Sequence, residues 1–347
     1  MNYYRRLPVY LLIDCSESMA GEGFAAVNQG LAAMIGQLRS NPMALETAFI
    51  SLITFASSAQ QVVPLTDILK FQMPRLKMGS GTALGAGLRL WLQSMDRELV
   101  KTTQQQKGDY KPICFLLTDG EPTDDWESTA DQIRNTIVGK QANVIAVACG
   151  PDVDVNKLRR ITPTVLVIKD IEPAAFAEFF KWVSASVSTA SQKIEGAGDK
   201  ALNLPNLPDN VQVAQAEAGA GGVPVQDRYV FIHARCVKSR GFYILRYGKT
   251  GVGTGRNSMY RAVAAHRVDD FEFGEGGGGR LNLQISADNL QGSAPCPYCQ
   301  NEVWAMCSNG HVHCCPMAPG ILTLTCPWCN KTDRYGEGSF EVGRGIG

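Results

Sequence analysis

Apolar runs alternate with amphipathic segments through the first half of the chain. Continuous apolar runs of strand length lie at 9–13, 48–55, 112–117, 144–149 and 164–168. Segments with apolar residues at helical spacing lie at 23–38, 88–95, 128–138, 156–161 and 173–187. Buried strands that alternate with helices are typical of a parallel sheet covered on both faces. We therefore predict a doubly wound, mostly parallel α/β fold for residues 1–187, with the polar segment 60–64 as a hairpin partner of the second strand.

Oxygen-bearing side chains follow two of these strands and precede one helix. They are Asp14, Ser16 and Ser18 after the first strand, Ser80 and Thr82 before the helix at 88–95, and Asp119 after the strand at 112–117. In open α/β sheets ligands bind beyond the carboxyl ends of the strands, so these turns are expected to meet at one edge. Hydroxyl and carboxylate oxygens suit a hard cation such as Mg²⁺, with Mn²⁺ or Ca²⁺ as alternatives. Taken alone, the first of these turns equally fits the N-cap of the following helix.

Further acidic residues stand beside the predicted site. Glu17 lies between the two serines, and Glu121, Asp124 and Asp125 follow Asp119. We expect these four to form a solvated acidic rim, and no His or Lys base is evident next to the turns. A site without a positioned base favours binding over catalysis. The protein is therefore expected not to be an enzyme, with metal-assisted hydrolysis at Asp14 and Asp119 as the alternative.

The three turns together resemble a known family. D-C-S-E-S at 14–18, G-S-G-T at 79–82 and T-D-G at 118–120 look like the three loops of the metal-ion-dependent adhesion site of a von Willebrand factor A (VWA) domain. The resemblance covers residues 7–187 and implies a Rossmann-like fold. It implies that Ser16, Ser18 and Thr82 bind Mg²⁺, and that Asp14 and Asp119 bind it directly or through water. It also implies a protein partner whose Asp or Glu completes the coordination.

Composition and charge narrow the class of protein. The 347 residues are 45% hydrophobic and 19% charged, which excludes a disordered chain, and the formal net charge is zero. A neutral molecule has no general attraction to nucleic acid or to an anionic membrane. No apolar run is long enough to span a bilayer, and the run after Arg5 and Arg6 is too short for a signal peptide. We therefore expect a cytoplasmic protein.

The composition changes after residue 187. Residues 188–225 are rich in Ala, Gly, Pro and polar residues and are predicted to form a flexible linker. Strand patterns at 229–232 and 242–246 then begin a β-rich region that extends over 226–347. Residues 226–268 contain nine Lys and Arg against one acidic residue, so a nucleic-acid-binding adaptor is kept as an alternative function. Nucleic acid is nevertheless not the expected partner.

Seven of the eleven cysteines crowd into the C-terminal tail. The C-x-x-C pairs Cys296/Cys299 and Cys326/Cys329 are each able to give two thiolates to a tetrahedral Zn²⁺, so we predict a structural zinc ribbon. The 26 residues between the pairs exceed the usual spacing of 15–20 and contain further donors. A second zinc site is therefore predicted from among Cys307, His311, His313, Cys314 and Cys315.

A VWA domain followed by a Cys-rich tail is similar to the TerY-like tellurite-resistance proteins that carry a C-terminal metal-binding domain. That resemblance implies a scaffold in a bacterial stress-response or defence system, with a protein kinase and a PP2C-type phosphatase as partners. A RING-like ubiquitin-ligase tail is a further alternative, but Met317 stands where the next ring cysteine is required.

Overall fold

A computed structural model of the chain describes residues 5–135, 141–150, 153–169, 172–193, 204–214, 229–251, 258–270, 273, 284–317, 320–336 and 338–344. The chain divides into two compact units. The first unit comprises 1–15, 22–76 and 82–219, and the second comprises 16–21, 77–81 and 220–347.

The first unit is built on a seven-stranded sheet with the order β3-β2-β1-β4-β5-β6-β7. Its strands are β1 (Leu7–Asp14), β2 (Ala48–Phe55), β3 (Ala59–Asp67), β4 (Ile113–Thr118), β5 (Asn143–Cys149), β6 (Val165–Ile168) and β7 (Val211–Val213). The five central strands are parallel to one another, and the edge strands β3 and β7 are antiparallel to their neighbours. The predicted mostly parallel α/β fold is confirmed. All eight residues of β1 are buried, as expected for a central strand covered on both faces.

Six α-helices accompany the sheet in the described part of this unit. They are α1 (Glu22–Arg39), α2 (Pro42–Thr47), α3 (Leu84–Glu98), α4 (Glu127–Asn135), α5 (Val155–Ile161) and α6 (Pro173–Lys193). Helices α3 and α4 pack with Tyr10 and Leu12 of β1 in one core. The predicted helices all form, although the predicted end of the fourth at 138 lies outside the described residues. Asn41 and Pro42 begin α2, where Asn41 Oδ1 accepts the Ala44 amide at 3.1 Å.

The predicted linker 188–225 is partly regular structure. Helix α6 continues to Lys193, and β7 pairs with β6 as the edge strand of the sheet. The indole Nε1 of Trp182 donates to the Pro205 carbonyl at 3.1 Å. Residues 194–203 and 215–225 lie outside the described ranges. Among the helices that the structure describes, none has the combination of length and hydrophobicity that crossing a bilayer requires.

The second unit is β-rich, as predicted. Its strands are β8 (Tyr229–Arg235), β9 (Phe242–Lys249), β10 (Tyr260–Arg267), β11 (Gln284–Ser286), β12 (Leu290–Gln291), β13 (Val303–Met306), β14 (Val312–Cys315), β15 (Leu322–Thr325), β16 (Thr332–Tyr335) and β17 (Glu341–Gly343). Six of them form a sheet with the order β12-β10-β9-β8-β14-β13, and β11 with β17 and β15 with β16 form two-stranded sheets. Strand β14 is parallel to the end of β8, and this pairing brings two distant cysteine-bearing segments together.

Two glycines of α1 provide a test of the packing between α1 and α6. A Cβ added at Gly30 would lie within 3.0 Å of three ring atoms of Phe180, which is buried in α6. A Cβ added at Gly36 would meet nothing within 4 Å. We therefore expect Gly30→Ala to lower the free energy of unfolding by about 1–3 kcal/mol through overpacking. Gly36→Ala is expected to raise it by about 0.5–1 kcal/mol through a higher helix propensity. Urea titrations of both variants measure the difference, and equal effects would show that this contact is loosely packed.

Candidate metal centres

Two carboxylates lie at the carboxyl edge of the first unit's sheet. Asp14 ends β1 and Asp119 follows β4, and the parallel register of these strands pairs Ile13 with Leu117. The buried Asp14 accepts a hydrogen bond from the Thr118 hydroxyl at 2.6 Å. Burial raises the pKa of the Cys15 thiol, and the charges of Asp14 and Asp119 raise it further. Asp14 directly precedes Cys15, and the Thr118 hydroxyl that Asp14 accepts belongs to the residue before Asp119.

Thr82 carries a fully buried side chain at the sheet edge. Its Oγ1 has no hydrogen-bond partner among the residues that the structure describes. Its backbone is fixed on both sides, because its amide donates to Thr123 Oγ1 at 3.1 Å and its carbonyl accepts the Thr123 amide at 2.8 Å. The next amide, that of Ala83, donates to the Ala56 carbonyl at the end of β2. A buried hydroxyl without a partner is costly, and coordination of a cation satisfies it.

The two serines of the first turn lie at the start of a short 3-10 turn after β1. Ser16 precedes the turn Glu17–Met19, and its hydroxyl is 2.9 Å from that of Ser18. Ser80, the other predicted hydroxyl ligand candidate, instead donates to Glu17 Oε1 at 2.7 Å. Asp14, Ser16, Ser18, Thr82 and Asp119 thus present three hydroxyls and two carboxylates, an oxygen set that fits Mg²⁺. Their role as its ligands stays a prediction.

The three acidic residues after Asp119 differ in exposure: Asp125 is exposed, as predicted for a solvated rim, whereas Glu121 and Asp124 are only partly exposed. Glu121 is mostly buried and forms an ion pair with Lys157. Asp124 accepts hydrogen bonds at 2.8 Å from two backbone amides in the first turn of α3. Asp125 accepts the Ser128 hydroxyl at 2.7 Å at the start of α4, which lowers the pKa of Asp125. Because each carboxylate holds a charge or a helix end, none of the three stands ready as a general base.

Glu17 was also predicted to lie on the rim, and this is wrong. Its side chain is fully buried. Its Oε1 accepts the Ser80 hydroxyl and contacts Nε2 of His233, and its Oε2 has no hydrogen-bond partner. Glu17, Ser80 and His233 all belong to the second unit.

Four cysteines of the second unit form a first sulfur group. They are Cys236, Cys296, Cys299 and Cys314, and their sulfur atoms all lie within 4.8 Å of one another. The Sγ atoms of Cys299 and Cys314 are 3.5 Å apart. A tetrahedral Zn²⁺ with Zn–S bonds of about 2.3 Å separates its sulfur ligands by about 3.8 Å, so the group fits this ion.

A second group combines three cysteines with a histidine. Its members are Cys307, His311, Cys326 and Cys329, whose ligand atoms again lie within 4.8 Å of one another. Cys307 Sγ is 3.5 Å from His311 Nδ1 and 4.0 Å from Cys329 Sγ. The His311 ring stacks on Trp328, with 15° between the planes, which orients the imidazole. Three sulfurs and one nitrogen are a common donor set for structural zinc.

Repeated backbone turns prepare both groups. In three places the cysteine carbonyl accepts the amide four residues on, and the cysteine amide donates to the carbonyl five residues on. The turns begin at Cys236, Cys296 and Cys326. The residues four positions on, Arg240, Gln300 and Asn330, have φ of 61°, 63° and 59°. Cys307 begins a similar turn that closes one residue earlier at Gly310, with φ 79°. These turns direct amide groups toward the sulfur, as in the 3.4 Å contact of the Ser239 amide with Cys236 Sγ.

The structure corrects the predicted zinc ligands. It does not bring the pairs Cys296/Cys299 and Cys326/Cys329 to one ion, but places each pair in a different group. Of the five donors between the pairs, Cys307 and His311 join one group and Cys314 joins the other. His313 and Cys315 belong to neither group. The sequence prediction missed Cys236, whose turn C-V-K-S-R-G has serine where the second cysteine of a knuckle stands.

Hydrogen bonds prepare one thiol of each group for metal binding. Burial raises the pKa of Cys236, but hydrogen bonds from Ser239 outweigh this and lower it to about 7. The backbone amide of Lys331 contributes most to lowering the pKa of Cys329, to about 6. Burial raises the pKa of Cys314. Zn²⁺ binds thiolates, and its positive charge would counteract the effect of burial on the pKa of Cys314. The donor sets therefore fit the ion.

Arginines of the basic segment make contacts within the second unit. Arg235 forms an ion pair with Asp270 at 2.5 Å. The Arg246 guanidinium lies 3.9 Å over the ring of Tyr229, and Arg267 donates to a backbone carbonyl at 2.9 Å. Since these side chains are held by their own fold, they give little support to a nucleic-acid surface.

Two family models match the chain. The model described as von Willebrand factor type A domain matches residues 9–178, and the model described as TerY-C metal binding domain matches residues 226–347. No curated protein sequence matches.

Comparison with solved structures finds partial similarities. A von Willebrand factor type A protein from Catenulispora acidiphila is 16% identical, with a TM-score of 0.40, over 76% of this chain and 66% of that one. The ArnB paralog VWA2 from Sulfolobus acidocaldarius is 12% identical, with a TM-score of 0.39, over 98% and 67%. Proximal thread matrix protein 1 from the mussel byssus, with a zinc-occupied MIDAS motif, is 18% identical, with a TM-score of 0.39, over 52% and 48%. The chain thus spans about half the length of the mussel protein.

The two sulfur groups predict two zinc ions per chain that are lost separately. Cys236→Ala should remove one ion and Cys329→Ala the other, because each substitution leaves only three donors in its group. Cys315→Ala is the matched control, since this buried cysteine lies outside both groups and should keep both ions. Elemental mass spectrometry of the purified full chain measures the zinc content. Two zinc ions in Cys236→Ala would contradict the grouping.

Proposed function

Because residues 9–178 are a von Willebrand factor type A domain and residues 226–347 a TerY-C metal binding domain, we propose that the chain is a non-enzymatic, Mg²⁺-dependent protein-binding module with a zinc-stabilised second domain. Mg²⁺ would be held by Asp14, Ser16, Ser18, Thr82 and Asp119. The partner would be a protein that presents an Asp or Glu side chain to the ion.

The buried Thr82 hydroxyl is the observation that carries this proposal. It has no hydrogen-bond partner, although the backbone on both sides of it is fixed. The segment of Thr82 lies at the same sheet edge as Asp14, because the Ala83 amide donates to the Ala56 carbonyl and the Cys15 amide donates to the Phe55 carbonyl. A fold that buries an unsatisfied hydroxyl and a carboxylate at one sheet edge is suited to a cation that binds both oxygens.

The number of ligands favours capture of a partner. Mg²⁺ requires six oxygens in near-octahedral geometry, and the five proposed residues leave at least one position for water or a partner's oxygen. A carboxylate is the protein side chain that a hard cation attracts most strongly. The neighbouring acids Glu121, Asp124 and Asp125 are occupied by structural contacts, which supports binding over hydrolysis.

The resemblance to TerY-like proteins supplies the proposed context. We place the protein in a bacterial stress-response or defence system of the tellurite-resistance type, acting with a protein kinase and a PP2C-type phosphatase. A cytoplasmic location fits the seven cysteine ligands of the two zinc groups, because zinc-binding thiolates persist in a reducing compartment.

Replacement of the Thr82 hydroxyl separates a metal ligand from a structural residue. Thr82→Val keeps the side-chain volume and removes a hydroxyl that has no partner, so the stability of the metal-free chain should be unchanged or higher. Mg²⁺ affinity, measured by isothermal titration calorimetry, should fall about tenfold or more, since a lost contact of about 1.4 kcal/mol is tenfold in affinity. Thr82→Val with wild-type affinity would exclude this residue as a ligand.

Partner binding should depend on the same ion. Asp119→Ala should abolish recovery of the purified kinase or phosphatase on the immobilised full chain, as should omission of Mg²⁺. Omission is preferred to a chelator because a chelator also removes zinc. Asp96→Ala is the matched control, since Asp96 is exposed on α3 and pairs only with Lys101. Equal recovery with Asp119→Ala, and without Mg²⁺, would overturn the proposed function.

A further inference from the structure

Two loops of the chain pack together with the C-terminal sheet in the second unit. Loop 16–21 carries Gly21 with φ 91°, where an added Cβ would lie 2.6 Å from Nδ1 of His266 on β10. Loop 77–81 carries Met78, which forms a parallel bridge with Phe273. The same two loops contain Ser16 and Ser18 and lead into Thr82. Two proposed Mg²⁺ ligands, Ser16 and Ser18, are therefore part of a segment that packs with the C-terminal sheet within the second unit.

Glu17 forms the polar contact of this packing. Its side chain is fully buried, and a carboxylate only accepts hydrogen bonds, so His233 Nε2 and Ser80 Oγ are its donors. The His233 ring is 4.7 Å from Phe273 and 5.7 Å from Phe242, both at steep angles. These aromatic contacts orient the His233 ring, and the second oxygen of Glu17 has no hydrogen-bond partner within the described part of the chain.

We propose that His233 and Glu17 are positioning residues for Ser16 and Ser18, two of the proposed Mg²⁺ ligands, so that full Mg²⁺ affinity requires the contact between His233 and Glu17. The proposal rests on the function proposed above. Loss of His233 leaves the buried Glu17 carboxylate with a single donor, and the loop relieves this by moving Glu17 toward water. Ser16 and Ser18 flank Glu17 directly, so this movement displaces their hydroxyls.

The position of His233 ties this contact to the zinc-bearing framework. His233 lies on β8, three residues before Cys236 of the first sulfur group. Strand β14, which carries Cys314 of the same group, pairs with the end of β8 at Ala234. The imidazole therefore projects from a strand that the first sulfur group holds at its end. Residues that orient metal ligands in this way contribute about 10- to 100-fold to metal affinity.

The test compares substitutions in two backgrounds. Mg²⁺ affinity of the full chain is measured by isothermal titration calorimetry for His233→Ala and Ser80→Ala, each with Glu17 present and with Glu17→Gln. With Glu17 present, His233→Ala should weaken Mg²⁺ binding about 10- to 100-fold, and Ser80→Ala should weaken it less. With Glu17→Gln, the same substitutions should change affinity by less than about twofold, because no buried charge then lacks a donor. His233→Gln, which keeps a donor, should recover part of the loss.

Controls separate positioning from unfolding. Arg261→Ala, at an exposed position of β10, should leave Mg²⁺ affinity unchanged. Zinc content and the thermal transition without Mg²⁺ report whether His233→Ala still folds. Ser80→Ala removes the other donor to Glu17 from a loop outside the sheet, so it tests the contact with Glu17 without altering a strand.

The outcomes distinguish the two proposals. In one outcome, the unaltered chain binds Mg²⁺ with an affinity that Asp119→Ala abolishes and His233→Ala changes by less than twofold. That result would overturn the positioning role but not the proposed function. Equal losses from His233→Ala in both backgrounds would overturn the role of Glu17 and with it this inference. Absence of Mg²⁺ binding in the unaltered chain would overturn both proposals.

Discussion

The burial of two carboxylates, one at the end of β1 and one just after it, is the energetic cost that the surrounding residues have to compensate. Asp14 is 1% exposed and Glu17 is fully buried, only three residues further on. An isolated buried carboxylate is strongly unfavourable unless charge or hydrogen bonds compensate it. Asp14 receives the Thr118 hydroxyl from the neighbouring strand, and Glu17 receives donors from Ser80 and His233. The same sheet topology that brings Asp119 near Asp14 adds negative charge, so a cation is the natural remaining partner.

The location of this centre follows from local patterns and one topological rule. Apolar runs identify the parallel strands, and parallel strands put the residues after Ile13 and after Leu117 at one edge. The surroundings do not follow from such patterns. Asp124 caps α3, which begins 40 residues earlier, and Lys157 of a later helix reaches Glu121. These partners depend on how helices pack, which no local spacing encodes, so the burial of Glu121 was not predicted, whereas Asp125 is exposed as expected.

The zinc groups show the same division between local and distant information. Each C-x-x-C pair is a local turn, and its metal-binding character is readable from spacing alone. Which turns share an ion depends on strand pairing. The parallel alignment of β14 with β8 brings Cys314 to Cys236, although 77 residues separate the two in the chain. Cys236 shares its turn with Cys296 and Cys326, since Arg240, Gln300 and Asn330 all have a left-handed backbone, but residues of three different types stand at this position and the sequence alone does not reveal the turn.

The sulfur and nitrogen groups and the set of oxygen ligands suit ions with different roles. Four sulfur and nitrogen ligands complete a tetrahedral zinc shell and leave no position for a partner. The oxygen set at the sheet edge is incomplete for an octahedral ion, so an additional oxygen has to come from outside the set. Under the proposed function the oxygen site is the one that a partner reaches, whereas the sulfur groups hold strands of the second unit. In the proposed positioning role, His233 stands on one of those strands and contacts Glu17 between Ser16 and Ser18, so that rigidity of the sulfur framework would reach these two hydroxyls.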